Sequence, residues 1–372
     1  MPKSNSNSAP HSWWQRFHID GPLLFGLVLL ALVSIATVYS ASGQDLAMTE
    51  RQAFRIGLAF VGMLVIAQIP PKAIERFSLP LFSIGVVLLL GVLLFGESNK
   101  GAQRWLNLGV ITIQPSELMK LAVPMTIAWF IAEHGIPPSK RRMGMAFVLL
   151  MVPTLMIAKQ PDLGTAILIA SSGIFVLFLA GISWRLILFF MGAIGAFIPV
   201  LWFFLMHDYQ RRRVLTFLDP ERDPLGAGYQ IIQSKIAIGS GGIEGKGWLQ
   251  GTQSQLEFLP ERHTDFIFSV FSEEFGLVGV IGLFILYGFI IVRGLIIAIR
   301  AQQVYQKLLA GSLILTFFVY VLVNIGMVSG LLPVVGVPLP LVSYGGTSMV
   351  TLLAGFGLLM AIATNQRFVM HH

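Results

Sequence analysis

Cysteine is absent from this sequence, so thiol catalysis and disulfide bonds in an exposed loop are both excluded. Charge is also scarce, since only 12% of the 372 residues are Asp, Glu, Lys or Arg whereas 55% are hydrophobic. A soluble globule of this size needs more polar residues than that to cover its surface. The composition therefore predicts a multispanning membrane protein.

The chain does contain a series of apolar stretches separated by polar connections. They lie at residues 22–40, 53–69, 79–95, 118–132, 143–158, 163–180, 186–206, 266–292, 308–329 and 349–364. A helix needs about 20 residues to cross roughly 30 Å of hydrocarbon, and the sixth stretch is short enough to be tilted or buried inside a bundle. We therefore predict an all-α polytopic membrane protein with about ten transmembrane helices.

The basic residues predict how the chain lies in the membrane. Ten spans place both termini on one side, and the tails and connections of that side contain 12 Lys or Arg. The opposite short connections and adjoining helix ends contain six. By the positive-inside rule both termini are cytoplasmic. We expect a multi-pass protein, whose topology explains the net charge of +7 without a nucleic-acid partner.

The segments of the chain follow from these spans. We expect a cytoplasmic tail at 1–20, helices 1–7 at 21–206, a large outward (periplasmic) loop at 207–264, helices 8–10 at 265–364 and a cytoplasmic tail at 365–372. The connection 330–346, GLLPVVGVPLPLVSYGG, is rich in Gly and Pro and has no charge. It would be a poor helix and poorly solvated, so the sequence predicts a re-entrant or cavity-lining loop.

The strongest chemical signal is an acidic residue at the start of a hydrophobic helix, where a charge is energetically costly. Asp265 follows a charged segment and opens a hydrophobic helix. Capping of that helix is one explanation. Catalysis is the other, favoured by Ser269 and Ser272, whose spacing places hydroxyls on the same helix face. Glu273 and Glu274, expected inside the membrane, are predicted to pair with partners in the bundle.

Two sequences with Pro followed by an acid begin other apolar helices. In QPSELMK (114–120), Glu117 could cap the helix start, while Lys120 lies one turn deeper and is spaced to pair with it. A buried cation facing outward suits a phosphate. In QPDLGT (160–165), Asp162 has the same arrangement, and a structural role is favoured there.

Further cations and an aromatic residue lie near the predicted outward connections. Arg104 and Trp105, in KGAQRWL (100–106), fit either an anchor at the membrane interface or a lip that holds an anionic headgroup. Arg51 and Arg55 lie four residues apart on one face at the outer end of the second helix. Solvation or contact with anionic lipid is the alternative to a specific site for such cations.

Nucleotide and zinc sites are not predicted. The string SGGIEGKG (240–247) resembles a phosphate loop, but Ser240 replaces the first required Gly and Gly247 replaces the Ser or Thr. The seven histidines are scattered, and no HExxH motif occurs. The residues alone therefore indicate an outward-facing membrane protein with a cavity for an anionic lipid, and they leave its chemistry open.

Six strings in the sequence resemble one family. They are KGAQRWL (100–106), QPSELMK (114–120), QPDLGT (160–165), DPLGAGYQIIQSKIAIGSGG (223–242), LPERHTDFIF (259–268) and PLPLVSYGG (338–346). In this order they resemble the SEDS family (shape, elongation, division, sporulation) over about residues 20–364. The resemblance implies a multi-pass peptidoglycan glycosyltransferase of the bacterial inner (cytoplasmic) membrane. Such an enzyme polymerises lipid II into β-1,4-linked glycan at the outer face of that membrane, for cell elongation and rod shape.

The resemblance implies roles for Asp265, Trp105, Glu117, Lys120 and Asp162 and for a partner protein. Stabilisation of a pyrophosphate leaving group adds Arg51, Arg104 and a cation, and helix spacing adds Ser269. Asp265 matches the family's essential aspartate and is the predicted catalytic residue. The predicted pyrophosphate-binding residues are Arg51, Arg104, Trp105 and Lys120, and the supporting residues are Glu117, Asp162 and Ser269. We expect a divalent cation (Mg²⁺ or Mn²⁺) and no nucleotide. The expected partners are a class B penicillin-binding protein, other elongation-complex proteins, lipid II and undecaprenyl pyrophosphate.

Two other functions use the same residues. A flippase would move lipid II across the membrane without forming a glycosidic bond, and it predicts polar residues spread through the membrane depth, as Glu273 and Glu274 would be. A non-catalytic scaffold of a cell-wall synthase predicts that Asp265 tolerates replacement by Asn. The concentration of cations and of Asp265 at the outer side favours the polymerase.

Overall fold

The computed structural model describes residues 18–99, 102–107, 112–133, 135–182, 227–255, 259 and 261–369, with isolated positions between 185 and 219. The helices of the first half are α1 (Gly21–Ala41), α2 (Leu46–Ala67), α3 (Pro71–Phe95), α4 (Pro115–Ala132), α5 (Lys140–Lys159) and α6 (Leu163–Leu179). Those of the second half are α7 (Ala227–Ser240), α8 (Thr252–Gln255), α9 (Ile267–Arg300), α10 (Val304–Val328) and α11 (Thr347–Val369).

The prediction of a helical multi-pass membrane protein is confirmed. Among the described residues, six helices are long and apolar enough to cross a membrane. Nine of the ten predicted stretches fall on helices, and the stretch 186–206 lies outside the continuously described residues. The short sixth stretch forms α6, which packs against α4, α5 and α10. Large apolar side chains on other helices face outward, such as Phe54 (73% exposed) and Phe95 (79%), as a lipid-facing surface requires.

Successive long helices run in alternating directions, which gives the bundle two ends. The first end, where α1 begins, also holds the end of α11, since His18 Nδ1 lies 3.0 Å from Thr364 Oγ1. The second end, called here the Asp265 end, holds the starts of α2, α4, α6, α9 and α11. Apolar side chains of α4, α10 and α11 form the centre of the core, among them Met119, Leu309 and Leu359.

A small antiparallel sheet at the Asp265 end was not predicted. Its strands are β1 (Glu97–Asn99), β2 (Ala102–Asn107) and β3 (Thr112–Ile113), in that order. Pairing of Glu97 with Trp105 and of Leu106 with Ile113 fixes the register. The sequence predicted only a short loop here because strands of this length carry almost no alternating pattern. The sheet connects α3 to α4 and places Trp105 beside them.

Helix α9 is broken near its start. Gly276 has φ 61° and ψ −163°, which separates a short segment, 267–275, from the remainder, 277–300. The remainder is about 36 Å long at 1.5 Å per residue, which is enough to span the hydrocarbon by itself. Glu274 hydrogen-bonds Ser40, near the last residue of α1. Glu274 therefore lies at the level of the end of α1, and the depth predicted for Glu273 and Glu274 had assumed an unbroken helix.

An ion pair joins α1 to α9 near the opposite end of the bundle. Asp20 caps α1 by accepting from Leu23 N at 3.1 Å. Its two carboxylate oxygens also accept from Arg293 Nε at 2.9 Å and from an Arg293 terminal nitrogen at 2.6 Å. Asp20 is 2% exposed, so this carboxylate depends on Arg293 for its compensating charge.

Replacement of Arg293 by Ala is expected to destabilise the fold, because it leaves the buried carboxylate of Asp20 unpaired. Loss of one partner of a buried pair costs about 3–5 kcal/mol. The melting temperature in detergent should therefore fall much further than in Arg300→Ala, which removes an exposed arginine from the end of the same helix. Equal melting temperatures for the two variants would contradict the assignment.

Candidate active site

Asp265 lies in the turn that precedes α9, and its side chain is half-buried. Its backbone carbonyl accepts a hydrogen bond from Asn324 Nδ2 of α10 at 2.9 Å. Its carboxylate faces Gly336, because a Cβ at that glycine would lie 3.5 Å from Asp265 Oδ2. The N-cap position of α9 is Phe266, so Asp265 is not the capping residue and the carboxylate is directed toward the neighbouring loop.

That neighbouring loop, residues 331–346, has no regular secondary structure and packs against the Asp265 turn. Ser343 Oγ donates to Thr264 O at 2.6 Å, and Tyr344 N donates to His263 O at 2.8 Å. Asn324 Nδ2 also donates to Val337 O at 2.8 Å, so one amide group contacts both the loop and the turn. Protein groups thus satisfy part of this irregular backbone, as is required wherever water is excluded.

The serines beneath Asp265 make other contacts. Ser269 Oγ is 2.8 Å from Ser234 Oγ of α7, and Ser234 Oγ donates to Val328 O at 2.5 Å. Ser272 Oγ donates within its own helix to Phe268 O at 2.7 Å. Ser269 therefore joins α9 to α7, which supports the helix that carries Asp265.

A cavity of about 920 Å³ opens between α2, α4, α11 and the small sheet. Its polar lining residues include Arg55, Trp105, Gln114, Glu117 and Thr347, and its apolar lining residues include Leu58, Leu88, Val350 and Ala354. Pockets that hold small molecules are mostly apolar with a few placed polar groups. This lining suits a molecule with a charged head and an apolar tail.

The ion pair predicted from the spacing of Glu117 and Lys120 is present. Lys120 Nζ lies 2.7 Å from Glu117 Oε1, and the two side chains are 9% and 11% exposed, respectively. The ammonium also lies 5.4 Å from the centre of the Tyr320 ring. Glu117 Oε2 is buried without a hydrogen-bond partner in the described part of the chain. Glu117 lines the cavity and Lys120 does not, so the ammonium of Lys120 reaches the cavity wall only through its pair with Glu117.

Arg104 and Asp162 contact each other at the edge of the sheet. The guanidinium of Arg104 donates to Pro161 O at 2.7 Å, and its Nε lies 3.7 Å from Asp162 Oδ2. Asp162 also caps α6 by accepting from Thr165 N at 3.3 Å. The structural role favoured for Asp162 is therefore present, and Arg104 joins β2 to the start of α6.

Arg55 rather than Arg51 lines the cavity. Arg51 is exposed, whereas Arg55 is half-buried and its guanidinium carbon lies 4.9 Å from the centre of the Tyr344 ring. Between them, Gln52 is fully buried and donates to Ser343 O at 3.2 Å. The four-residue spacing indicated a shared helix face, but the sequence had no signal that Tyr344 would lie under Arg55.

Residues 343–346 form a wall shared by Asp265's turn and the cavity. Ser343 and Tyr344 hydrogen-bond the turn, Arg55 stacks on Tyr344, and Gly346 lines the cavity.

Burial is the largest of the effects that lower the pKa of His263, which lies two residues before Asp265 in the turn. Arg262 lowers this pKa further, and Glu261 opposes the shift. His263 is therefore held toward its neutral form.

These features define the class: a helical multi-pass membrane protein with a carboxylate and, at the same end, a largely apolar cavity lined by Arg55. A family model described as "Cell cycle protein", for FtsW, RodA and SpoVE, matches residues 17–368. The chain belongs to this family, which confirms the resemblance found in the motifs.

Named relatives refine the position within the family. The chain is 57% identical over 363 residues to "Peptidoglycan glycosyltransferase MrdB" of Escherichia coli (strain K12), with 98% of both chains covered. It is 36% identical to "Probable peptidoglycan glycosyltransferase FtsW" of Geobacter metallireducens, covering 94% of this chain and 95% of the relative. General similarity of the sequence had favoured RodA over FtsW. The higher identity to MrdB agrees with that prediction.

Solved structures share the fold. One chain, from work on "Structural coordination of polymerization and crosslinking by a peptidoglycan synthase complex", has a TM-score of 0.81 and 32% identity, covering 93% of this chain and 98% of that chain. The "Rod shape determining protein RodA" of Thermus thermophilus has a TM-score of 0.70 and 28% identity, covering 93% and 97%, respectively.

Acidification is expected to destabilise the Asp265 turn through His263. Because its folded-state pKa lies below the ordinary 6.5, the unfolded chain takes up the proton first, and stability falls as the pH drops below about 6.5. The melting temperature of the wild type should therefore decrease more between pH 7.5 and 5 than that of His263→Gln. Identical pH profiles would contradict this assignment.

Proposed function

We propose that this chain, a peptidoglycan glycosyltransferase, uses Asp265 as the general base when it joins lipid-linked disaccharides. The observation that carries the proposal is the shared wall at 343–346, which brings the Asp265 turn beside a cavity lined by Arg55 and Glu117. The substrate is lipid II and the product a β-1,4-linked glycan strand. Such an activity serves cell elongation and rod shape.

The proposed orientation places the Asp265 end outside the inner membrane and both termini in the cytoplasm. The excess of Lys and Arg in the tails and in the connections at the opposite end supports it. The reacting disaccharide of lipid II is then presented at the depth of Asp265, while its prenyl chain remains among apolar helices. The contact of Glu274 with Ser40, near the last residue of α1, supports a position of the glutamates at this end rather than the spread through the membrane depth that a flippase predicts.

The reaction is a displacement at the anomeric carbon. The 4-hydroxyl oxygen of the acceptor GlcNAc attacks C1 of the donor MurNAc, and the bond from C1 to the pyrophosphate oxygen breaks. The proton of the attacking hydroxyl passes to the carboxylate of Asp265, which is a role for a base within hydrogen-bond reach of that hydroxyl. Attack on the face opposite the leaving group converts an α-linked donor into a β-linked product.

The leaving pyrophosphate needs charge stabilisation rather than a proton. Arg55 lines the cavity with its guanidinium stacked on Tyr344, and Lys120, one helical turn from the lining residue Glu117, pairs with it from behind the wall. We assign the pyrophosphate to this wall, with Trp105 beside it. Arg104 anchors the sheet that carries Trp105. Arg51 is exposed and lies one turn from Arg55, so its binding of the pyrophosphate stays a prediction.

Mg²⁺ or Mn²⁺ remains a proposal for the same step, in which it would offset pyrophosphate charge. The described residues hold no group of three His, Asp or Glu side chains that could bind it by themselves. Such a cation would therefore depend on the pyrophosphate oxygens, as Mg²⁺ commonly depends on substrate phosphates.

A penicillin-binding protein of class B, a transpeptidase, is the proposed partner, together with other elongation-complex proteins. The similarity to a chain from a synthase complex that coordinates polymerization and crosslinking supports a partner of this kind. Polymer made at the Asp265 end would then be delivered directly to a crosslinking enzyme.

Replacement of Asp265 by Asn is expected to reduce polymerisation of purified lipid II by roughly 100-fold or more, since the amide cannot accept the proton. Both the wild type and the variant would be assayed with the class B partner after equal assembly is verified. Asp45→Asn is the matched control, because Asp45 is an exposed N-cap of α2 at the same end and Asn also caps helices. Equal glycan yield from Asp265→Asn would exclude Asp265 as the base.

Replacement of Arg55 by Gln is expected to raise the KM for lipid II roughly tenfold, because hydrogen bonds to charged groups contribute about 1.5–3 kcal/mol. Lys159→Gln, which removes an exposed cation from the same end of the bundle, should leave the KM within about twofold of the wild type. If both variants had the wild-type KM, the pyrophosphate could not be assigned to the wall that carries Arg55.

A further inference from the structure

The break in α9 interrupts the hydrogen-bond ladder of the helix that follows Asp265. In an unbroken helix, the amides of residues 277 and 278 would donate to the carbonyls of residues 273 and 274. The backbone angles at Gly276, φ 61° and ψ −163°, separate these groups. Two donors and two acceptors must therefore find other partners, because buried backbone groups without partners are costly.

Residues 241–247, called here the inserted segment, supply partners for all four groups. Two of its carbonyls accept and two of its amides donate, at distances of 3.0–3.1 Å. The four bonds are Leu277 N to Gly242 O, Val278 N to Ile243 O, Lys246 N to Glu273 O and Gly247 N to Glu274 O. The inserted segment thus occupies the gap in the α9 ladder as a bridging piece of backbone.

Glycine is needed for this approach. A Cβ on Gly276 would overlap Gly245 N, and a Cβ on Gly245 would overlap Glu274 O. A Cβ on Gly241 would overlap Ser272 O, and Gly245 and Gly276 both have positive φ values, 81° and 61°. Gly241 and Gly245, in the string that resembled a phosphate loop, therefore allow close contact with another backbone.

An ion pair holds the inserted segment in place. Lys246 Nζ lies 2.7 Å from Glu273 Oε1, and the Glu273 side chain is 0% exposed. The same oxygen accepts from Thr252 Oγ1 at 3.1 Å and from Gln253 N at 3.0 Å. Glu274 accepts from Ser40, which connects the break to α1. The pairing of Glu273 within the bundle was predicted, but its partner lies in the large loop.

These contacts support the short helix that follows Asp265. The segment 267–275 is a short helix with the Asp265 turn at one end and the inserted segment at the other. Ser269 also binds Ser234 of α7, the helix that leads directly into the inserted segment. A change in the inserted segment would therefore rotate or tilt the short helix and move the turn.

We propose that Lys246 and Glu273 are positioning residues, which lock the inserted segment into the α9 break and thereby orient the carboxylate of Asp265 for proton transfer. This proposal rests on the proposed role of Asp265 as the base. It makes the large loop a part of the catalytic framework, although neither Lys246 nor Glu273 touches the reacting atoms.

The test combines hydrogen exchange with kinetics of the full chain in complex with its class B partner. Glu273→Gln, Lys246→Ala and Gly276→Ala are compared with Gly282→Ala, a glycine in the continuing part of α9 whose added Cβ meets nothing within 4 Å. The three variants should show joint loss of protection at the amides of Lys246, Gly247, Leu277 and Val278. Their kcat should fall at least tenfold with the KM for lipid II within twofold, and Lys246→Arg should restore most of the kcat.

Several results would overturn the proposal. Amides that stay protected in the three variants would show that the ion pair and the glycine contact do not hold the inserted segment. Lost protection with an unchanged kcat would show that the segment does not position the base. A kcat that falls equally in Gly282→Ala would indicate general destabilisation. Activity in Asp265→Asn would instead refute the role of the base, and the exchange pattern is independent of that result.

Discussion

Irregular backbone within an apolar bundle has to find hydrogen-bond partners in the protein itself, and the Asp265 end of this molecule depends on that requirement. Two departures from helical structure meet there, the break in α9 and the uncharged loop 331–346. The inserted segment satisfies the first, and Asn324, Ser343 and the Asp265 turn satisfy the second. Because Asp265 lies between these two regions, its position is fixed from both sides by groups far away in sequence.

The same arrangement separates the two tasks of a glycosyl transfer. Proton acceptance is assigned to a turn held by main-chain contacts, and charge stabilisation to side chains on α2 and α4, which are regular helices. Tyr344 connects them, since its amide binds His263 O and its ring lies under Arg55. Rigid elements on both sides of the substrate favour a preorganised site, in which little reorganisation is needed during reaction.

Composition and residue spacing were sufficient to predict the helices, the membrane class and the Glu117–Lys120 ion pair, because these features depend on local sequence pattern. The small sheet was missed since its strands are too short to alternate. The break at Gly276 was missed because a glycine in an apolar run does not reveal its backbone angles, and Arg55 over Tyr344 required a contact between residues nearly 300 positions apart. The hydroxyl of Ser269 was on the expected helix but contacts Ser234, a direction that a helical wheel does not give.

The register of the inserted segment has a consequence for variation in length. Surface loops usually accept insertions and deletions, since their backbone is solvated. Here the backbone of residues 242 and 243 hydrogen-bonds residues 277 and 278, while the backbone of residues 246 and 247 hydrogen-bonds residues 273 and 274. A single residue added or deleted between 242 and 247 would shift one of these two pairs of hydrogen bonds relative to the other, so that both pairs could not form together. The large loop therefore contains a stretch of fixed length, and grafts, tags or swaps between relatives would have to place their junctions outside it.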